Sequence, residues 1–269
     1  MIDEALGRRL EANDILITAD YAHARARLAP DVGSRVVPWG GGQLCFVAPG
    51  FPMNRAVGLG LEGPVEDTAL EAMEDFFRAV REPASVGLSP FVHPSLPAQL
   101  ARRGYQELRA LDVHVSTLEA TQGSAPEEGP VRVTAVTPEQ RELWAMTVAR
   151  GFAGREDVTE EDFSAVIARV AAAREAVTCF LAWVEGEPAA AGALAVVDGV
   201  ATLFSSSTRA PFRRRGAHAA LVRARLATAA CAGCDVAIVL ATPGSASAAN
   251  VLRKGFRRAY TRHVVNREL

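Results

Sequence analysis

The chain has 269 residues, of which 49% are hydrophobic, 22% are charged and 6% are aromatic, and its formal net charge is −2. This composition is typical of an ordered globular protein with one large or two small domains, and it excludes a fibrous or largely disordered chain. The near-neutral charge gives no reason to expect nucleic acid or an anionic membrane as a partner.

The beginning of the chain and the cysteines indicate the compartment. The first residues, MIDEALGRRLEANDIL, carry acidic side chains and lack a long apolar stretch, so we predict neither a secretory signal nor a membrane span and expect a cytoplasmic protein. Four cysteines do not make a disulfide framework in a chain of this length. Cys231 and Cys234 have redox-motif spacing, but we interpret them as structural because Gly233 is typical of a helix end. With no second Cys/His pair visible, we predict no metal site.

The hydrophobic pattern predicts two domains separated by a break in composition. Before the break, it predicts a helix over 66–80 and a strand over 85–89. The break is 118–130, LEATQGSAPEEGP, which we interpret as a linker between a domain over 1–117 and a domain over 131–269. After the linker, the predicted elements in chain order are helices over 138–150 and about 160–174, strands over 177–184, 189–197 and 200–206, a helix over 216–232, a strand over 235–241, a helix from Ser245 to about Lys254, and a last extended stretch.

This order predicts an α+β fold, with a mainly antiparallel sheet flanked by helices. Glu185-Gly186 and Asp198-Gly199 separate the first three strands, and both pairs are typical of tight hairpin turns. The third strand then continues through a helix into the fourth strand, which makes a crossover β-α-β unit. Phosphate-bearing ligands tend to bind where such a strand leads into the N-terminus of a helix.

An arginine-rich segment lies at that point. It reads Arg213-Arg214-Arg215-Gly216-Ala217-His218, and the predicted helix begins within it. The first amides of a helix have no intrahelical acceptor, and together with the helix dipole and nearby guanidinium groups they can bind a pyrophosphate. Glycine suits such a loop because a side chain would obstruct the approach of the backbone to the phosphate.

The segment resembles the acetyl-CoA loop of the GNAT (GCN5-related N-acetyltransferase) family, which has Arg or Gln, two variable residues, Gly, one variable residue, and Gly or Ala. Arg213 and Gly216 match this pattern, whereas His218 departs from it at the last position. The resemblance spans 131–269 and includes the order of elements and the ending Gly255-Phe256.

The resemblance implies acetyl-CoA as co-substrate, lying along the splayed edge of the third strand. Main-chain groups at the end of that strand would bind the pantetheine arm, the arginine loop would hold the pyrophosphate, and a residue of the last helix would face the other side of the cofactor. The implied pantetheine contacts are Ser206, Ser207 and Thr208. The implied pyrophosphate contacts are Arg213, Arg214, Arg215, Gly216, Ala217, His218 and Ala219. The implied contact from the last helix is Asn250.

The resemblance also implies direct attack by an amine on the thioester, with backbone N–H groups stabilising the oxyanion. The catalytic residues are left unassigned. Val251 stands where many relatives have a tyrosine that protonates the thiolate, and Tyr260, the nearest phenol, is more readily explained by edge-strand packing. Glu156 and Asp157 lie where relatives shape the acceptor site, but we favour an interpretation as solvated loop charges.

The first half of the chain looks like a degenerate copy of the second. Residues 99–115 align without a gap on residues 250–266, which places Gly104-Tyr105 on Gly255-Phe256 and indicates an internal duplication. The first half carries Glu62, Glu66 and Asp67 in place of the arginine loop, and carboxylates repel pyrophosphate. We therefore expect tandem GNAT-like domains, of which the N-terminal one does not bind acetyl-CoA.

The leading hypothesis is an N-acetyltransferase that acts on a small-molecule or peptide amine. The alternative is a non-catalytic acyl-CoA sensor or regulatory module, which the missing tyrosine would permit. Nucleic-acid binding is disfavoured by the overall charge and by the lack of aromatic residues among the arginines. A monomer is favoured over a homodimer, because a fused duplicate can make within one chain the two-fold contact of a dimer.

Overall fold

The structure, a computed structural model, describes residues 2–118 and 130–269, so most of the predicted linker over 118–130 lies outside the described residues. The chain forms two compact units. Unit 1 consists of Met1–Val115 with Leu240–Leu269, and unit 2 of Ser116–Val239. This division differs from the predicted domains over 1–117 and 131–269, because the last thirty or so residues join the first unit rather than the second.

The described residues contain helices and strands in alternation. The helices are α1 (Glu4–Leu28), α2 (Asp67–Ala79), α3 (Ser95–Arg102), α4 (Arg141–Ala153), α5 (Phe163–Ala172), α6 (Ala217–Cys231) and α7 (Ala246–Leu252). The strands are β1 (Arg35–Trp39), β2 (Gly42–Phe46), β3 (Arg55–Val57), β4 (Ala84–Leu88), β5 (Gln106–Thr117), β6 (Val131–Ala135), β7 (Val177–Val184), β8 (Glu187–Val197), β9 (Val200–Thr208), β10 (Val236–Ala241) and β11 (Arg257–Arg267).

Unit 2 contains an antiparallel meander followed by a crossover. Its strand order is β10-β9-β8-β7-β6, in which β9 and β10 run parallel and the other pairs are antiparallel. The predicted hairpin turns are confirmed, because Glu185, Gly186, Asp198 and Gly199 all have a left-handed φ, between 49° and 82°. Strand β6 was not predicted, since five alternating residues beside a linker give a weak signal.

Unit 1 has a sheet of the same kind, with the order β1-β2-β3-β4-β11-β5. Here β3 and β4 run parallel through the pair Ala56 and Val86, and α2 connects them. Leu70, Met73 and Phe77 of α2 are fully buried against this sheet, as their spacing on one helical face requires. Helix α1 and strands β1, β2 and β3 were not predicted from the sequence.

The last strand of the chain, β11, lies in the middle of the unit 1 sheet. It pairs with β4, where His263 faces Leu88, and with β5, where Arg257 faces Val115. The expectation that this stretch completes the second domain was therefore wrong. A strand's apolar pattern indicates that it is buried but does not identify its neighbours, so the pairing could not be predicted.

The endings of α3 and α7 are closely similar, as the proposed duplication requires. Gly104 and Gly255 have φ values of 86° and 87°. After each glycine, an aromatic residue returns its N–H to the helix: Tyr105 N donates to Leu100 O at 3.0 Å, and Phe256 N donates to Val251 O at 3.2 Å. These residues are equivalent in the ungapped alignment, so the geometry supports the duplication hypothesis.

An ion-pair cluster joins β11 to α1 within unit 1. Arg262 is 3% exposed, and it donates to Glu11 Oε1 at 2.8 Å and pairs with Asp14 Oδ1 at 2.9 Å. Arg55 of β3 binds the other oxygen of Asp14 at 3.1 Å. Tyr260, also buried, donates to Glu11 at 2.6 Å. The cluster therefore attaches residues at both ends of the chain to one buried site.

Among the described residues, none of the helices combines the length and the apolarity needed to cross a membrane.

We expect Arg262→Met to destabilise unit 1 by about 3–5 kcal/mol, because removing one partner of a buried ion pair leaves the carboxylates of Glu11 and Asp14 uncompensated. The matched control is Arg257→Met on the same strand, whose side chain is exposed and whose replacement should cost at most about 1 kcal/mol. Urea-unfolding curves measure both variants, and equal losses would contradict the assigned role of the cluster.

The cluster also predicts a pH dependence. Burial by itself raises the pKa of Asp14, but Arg262 and Arg55 outweigh that effect, so the pKa lies below its ordinary value. The contribution of this carboxylate to stability is therefore complete above about pH 4 and is lost as the pH falls through the folded-state pKa. The destabilisation caused by Asp14→Asn should stay constant from neutral pH to about pH 5 and shrink below pH 4.

Thermal unfolding of both proteins across this pH range provides the measurement. Asp31→Asn, which changes an exposed carboxylate of the same unit, is the control and should show only a small penalty throughout. A penalty for Asp14→Asn that grows on acidification would refute the sign of the linkage.

Candidate functional site

The N-terminus of α6 in unit 2 lies where the sequence predicted an anion site. Gly216 is the N-cap residue, with a φ of 84°, a left-handed conformation that favours glycine. Its carbonyl accepts the first intrahelical bond, from Ala220 N at 3.0 Å. The amides of the first turn thus come before any intrahelical acceptor and point out of the helix end, where the dipole is positive.

The three arginines before Gly216 have different surroundings. Arg213 lies over the end of α4, where its Nη2 donates to Gly151 O at 3.4 Å. Arg215 forms an ion pair with Glu185. Arg214 is exposed, has a left-handed φ of 63°, and makes no hydrogen bond or ion pair with the rest of the described chain. Arg214 is consequently the guanidinium that is most available to an added anion.

Strand β9 separates from β10 before it reaches this loop. Within the described residues, the parallel register joins Val200–Thr202 to Val236–Ile238 and ends there, although β9 continues to Thr208. The end of β9 therefore has a sheet neighbour, β8, on one side. On its other side, main-chain groups of Ser206 and Thr208 are not used by β10, as the predicted splayed edge requires.

A bulge in the β8–β9 ladder accompanies this divergence. Ala193 pairs with Phe204 and Ala191 pairs with Ser207, so Gly192 on β8 faces both Ser205 and Ser206 on β9. Ser205 has a φ of 49°, which is uncommon for a residue with a side chain. Bulges bend and twist a strand and leave backbone groups outside the ladder.

Helix α4 packs closely against the end of β9. Ser207 is buried, and its hydroxyl donates to Val148 O at 3.1 Å, so this side chain faces the helix rather than a ligand. A Cβ atom on Gly151 would lie 2.6 Å from Ser207 Cβ and 3.0 Å from Thr208 N. Glycine at position 151 therefore allows α4 to contact β9 closely, whereas any other residue there would push the two elements apart.

Beyond Thr208, Arg209 is held by Glu156. Its Nε and Nη2 donate to Glu156 Oε2 at 2.8 and 2.6 Å, and its Nη1 donates to Pro188 O at 2.9 Å. The interpretation of Glu156 as a solvated loop charge was therefore wrong, because the carboxylate fixes the residue that follows β9. Asp157, in contrast, is exposed and pairs with Arg155 at 3.0 Å.

Other predicted residues lie in unit 1. Asn250 is on α7, where its side chain accepts a hydrogen bond from Arg253; its contact with a cofactor stays a prediction. Val251 is buried in the position of the missing tyrosine. Tyr260 lies on β11, which has neighbours on both sides, so it packs in a central strand rather than the expected edge strand. Burial raises the pKa of Tyr260, which makes this phenol a poor proton donor.

Sequence reasoning missed Arg225 on α6. Its side chain is completely buried, at position i+4 from Leu221, whose burial was expected from the helical period. The spacing on the buried stripe was therefore a signal that could have identified it. Gly151 also gave a signal, because glycine within a predicted helix often marks a close approach.

Within residues 2–118 and 130–269, no group of three or more His, Cys, Asp or Glu side chains is arranged to hold a metal ion. Cys231 is the last residue of α6 and Cys234 follows the helix, and neither forms a disulfide bond.

Unit 1 differs from unit 2 at the equivalent place, where β3 leads towards α2. His93 N donates to Gly60 O at 2.6 Å, which joins the segment after β4 to the segment after β3. A Cβ atom on Gly60 would lie 3.0 Å from Leu96 Cδ2. A main-chain hydrogen bond thus joins the two segments of unit 1 at this place, beside a pocket lined by Arg8, Glu62 and Phe91.

Comparison with known proteins agrees with this architecture. A model of the acetyltransferase (GNAT) family matches residues 137–256. A search of curated protein sequences found no match.

Solved structures extend the similarity to most of the chain. A GCN5-related N-acetyltransferase from Kribbella flavida is 20% identical, with a TM-score of 0.64 over 92% of this chain and 95% of that chain. A tandem GNAT protein from the clavulanic acid biosynthesis pathway is 13% identical, with a TM-score of 0.65 over 92% and 87% of the two chains. A GCN5-related N-acetyltransferase from Sphaerobacter thermophilus is 16% identical, with a TM-score of 0.54 over 87% and 76%. At these identities the likeness shows the fold, and it confirms the predicted α+β class.

The contact at Gly151 gives a prediction. We expect Gly151→Ala to cost about 1–3 kcal/mol, because the new methyl group meets Ser207 and the backbone of Thr208 and forces α4 away from β9. Phe152→Ala is the control, since the next residue is 60% exposed and its truncation should cost little. Thermal unfolding compares the two, and a Gly151→Ala variant as stable as the control would contradict the close approach.

Proposed function

On the premise that residues 137–256 match the model of the GNAT acetyltransferase family, we propose that the protein transfers an acetyl group from acetyl-CoA to an amine of a small molecule or peptide. The observation that carries the proposal is the divergence of β9 from β10 immediately before the N-terminus of α6. It brings main-chain groups that β10 does not pair with, first-turn amides and an exposed guanidinium into one region of unit 2.

The residues present fit the donor that the family uses. The amides of Ala217 and its neighbours would bind the pyrophosphate, and Arg214 would contribute a charged donor without first breaking an ion pair. The main chain of Ser206 to Thr208 would bind the pantetheine arm in place of a sheet strand. When bound, acetyl-CoA supplies an activated acetyl group in the form of a thioester.

In the proposed reaction, the chain's residues contribute mainly by binding and orienting the donor. The β8–β9 bulge has backbone groups outside the ladder at Ser205 and Ser206, and an N–H there would stabilise negative charge on the thioester oxygen. A thiolate of ordinary pKa, about 8.5, leaves without a strong acid, so the absence of a tyrosine at position 251 is compatible with transfer. We assign no general base.

Unit 1 is proposed not to bind acetyl-CoA. Glu66 and Asp67 lie at the start of α2, where unit 2 has its arginines, and at the equivalent place His93 N already donates to Gly60 O. Carboxylates at a helix N-terminus favour the helix but repel a diphosphate.

A second candidate is a non-catalytic acyl-CoA sensor. It is favoured by one observation, the buried Val251 at the position of the family tyrosine. Such a protein would bind acetyl-CoA through the same groups but would release no free thiol when amines are added.

Calorimetric titration of the whole protein with acetyl-CoA tests the proposal. We expect one site per chain, and two comparable sites would refute the assignment of unit 1. Gly216→Glu should weaken binding at least about tenfold, because it places a carboxylate at the phosphate position. Gly216→Ala has the same backbone strain and a short side chain without the charge, so it should lose less affinity than Gly216→Glu.

Gly33→Glu is a further control, since this glycine of unit 1 also has a positive φ, 73°, with no neighbour within 4 Å of a new Cβ atom. Unchanged affinity in Gly216→Glu would sink the proposed site. A thiol-release screen over small amines and peptide N-termini then separates the two functions: turnover supports the transferase, while thermal stabilisation by acetyl-CoA without turnover supports the sensor.

A further inference from the structure

Arg225 is a buried cation whose contacts are unusual. The side chain is 0% exposed and makes no ion pair with any of the described carboxylates. Its hydrogen bonds go to backbone carbonyls: Nε donates to Leu221 O at 3.1 Å, and Nη1 donates to Ala193 O at 3.1 Å and Phe204 O at 3.3 Å. Nη2 is buried and has no partner among the described residues.

The two strand carbonyls identify what Arg225 contacts. Ala193 and Phe204 form the last ladder pair before the β8–β9 bulge. One nitrogen, Nη1, therefore bridges the two strands at the point where regular pairing stops. Gly192 makes room for this contact, because a Cβ atom there would lie 2.8 Å from Nη1 and 2.9 Å from Cζ.

Helix α4 holds the same strand segment through different residues. Trp144 Nε1 donates to Gly192 O at 3.2 Å, and Ser207 donates to Val148 O. Side chains alternate between the two faces of a strand. The side-chain position of Gly192 faces Arg225 of α6, and the side chain of its neighbour Ala191, which pairs with Ser207, points to the opposite face of the sheet. The bulge is thus fixed between α4 and α6.

Burying a guanidinium without a carboxylate is costly, and a methionine of similar volume would fill the space more cheaply. Burial lowers the pKa of Arg225 to about 9, so the group remains a cation at neutral pH. A buried arginine in this alanine-rich helix therefore indicates a role for its side chain other than filling the core.

We propose that Arg225 is a positioning residue for the acyl end of the donor site: by joining Ala193 to Phe204 it holds the bulge in the shape that directs the backbone of Ser205 and Ser206 into the opening beside β9. This inference rests on the proposed function, because it assigns the opening to the pantetheine and acetyl groups. Arg225 acts through the strand and does not itself contact the donor.

The test compares two probes that share the phosphates but differ in reach. Acetyl-CoA extends along β9, whereas adenosine 3′-phosphate 5′-diphosphate lacks the pantetheine arm and the acetyl group. Arg225→Met should weaken acetyl-CoA binding at least about tenfold, because the backbone of Ser205 and Ser206 is no longer held in the shape that binds the acyl end, and it should leave the affinity for the diphosphate probe within about twofold. Arg225→Lys, which keeps a buried cation, should recover part of the loss.

Two further variants sharpen the comparison. Arg223→Met makes the same change at an exposed position of the same helix, and it should leave both affinities unchanged. Gly192→Ala keeps the arginine at position 225, but the new methyl group on β8 displaces its guanidinium. This variant should therefore reproduce the selective loss of acetyl-CoA affinity. Equal loss of both probes in Arg225→Met, or no loss of either, would overturn the inference.

Hydrogen exchange provides a readout that needs no ligand. In Arg225→Met and Gly192→Ala, the amides of residues 203–207 should exchange faster than in the wild type while those of β7 keep their protection. Unchanged exchange at 203–207 overturns the role of Arg225 even if the wild type binds neither probe. Failure of wild-type binding with the predicted exchange pattern refutes the proposed function but supports the contact between Arg225 and the bulge.

Discussion

The architecture of unit 2 depends on one interruption of regular sheet pairing. At Gly192 the β8–β9 ladder gives up one-to-one register, and a few residues earlier β9 has already lost β10 as a neighbour. A sheet interior normally satisfies its backbone groups internally, so a strand that leaves its partner needs other groups to hold it. Here Trp144 of α4 and Arg225 of α6 take that role from two helices, Ser207 of β9 itself donates to Val148 O of α4, and the released main chain leads to the start of α6.

The same interruption explains how the proposed donor site could be made from so few polar side chains. Transfer of an acetyl group from a thioester needs orientation and a place for negative charge more than it needs strong acids or bases. In the proposed site, backbone N–H groups and a helix end would supply the orientation and the place for negative charge. Main-chain groups of this kind are available in any sequence that folds in this way.

The sequence allowed most of unit 2 to be predicted because its signals are local. Hairpin turns with Glu-Gly and Asp-Gly, an alanine-rich helix and a glycine N-cap are encoded within a few residues of where they act. The position of β11, the ion pair between Glu156 and Arg209 and the contacts of Arg225 were not predicted, since each joins residues far apart in the chain. An arginine on an apolar stripe was visible in the sequence, but only the structure shows that it binds strand carbonyls.

The insertion of β11 between β4 and β5 has a consequence for how the protein is made. Most chains can complete an N-terminal domain while the ribosome is still synthesising the rest. In this chain the sheet containing β1 to β5 cannot close until residues 257–267 have been translated, and every contact across that strand spans more than a hundred residues of sequence. During synthesis, unit 1 is therefore expected to remain incompletely folded, with the edges of β4 and β5 exposed to chaperones. It is also expected to fold slowly, after unit 2.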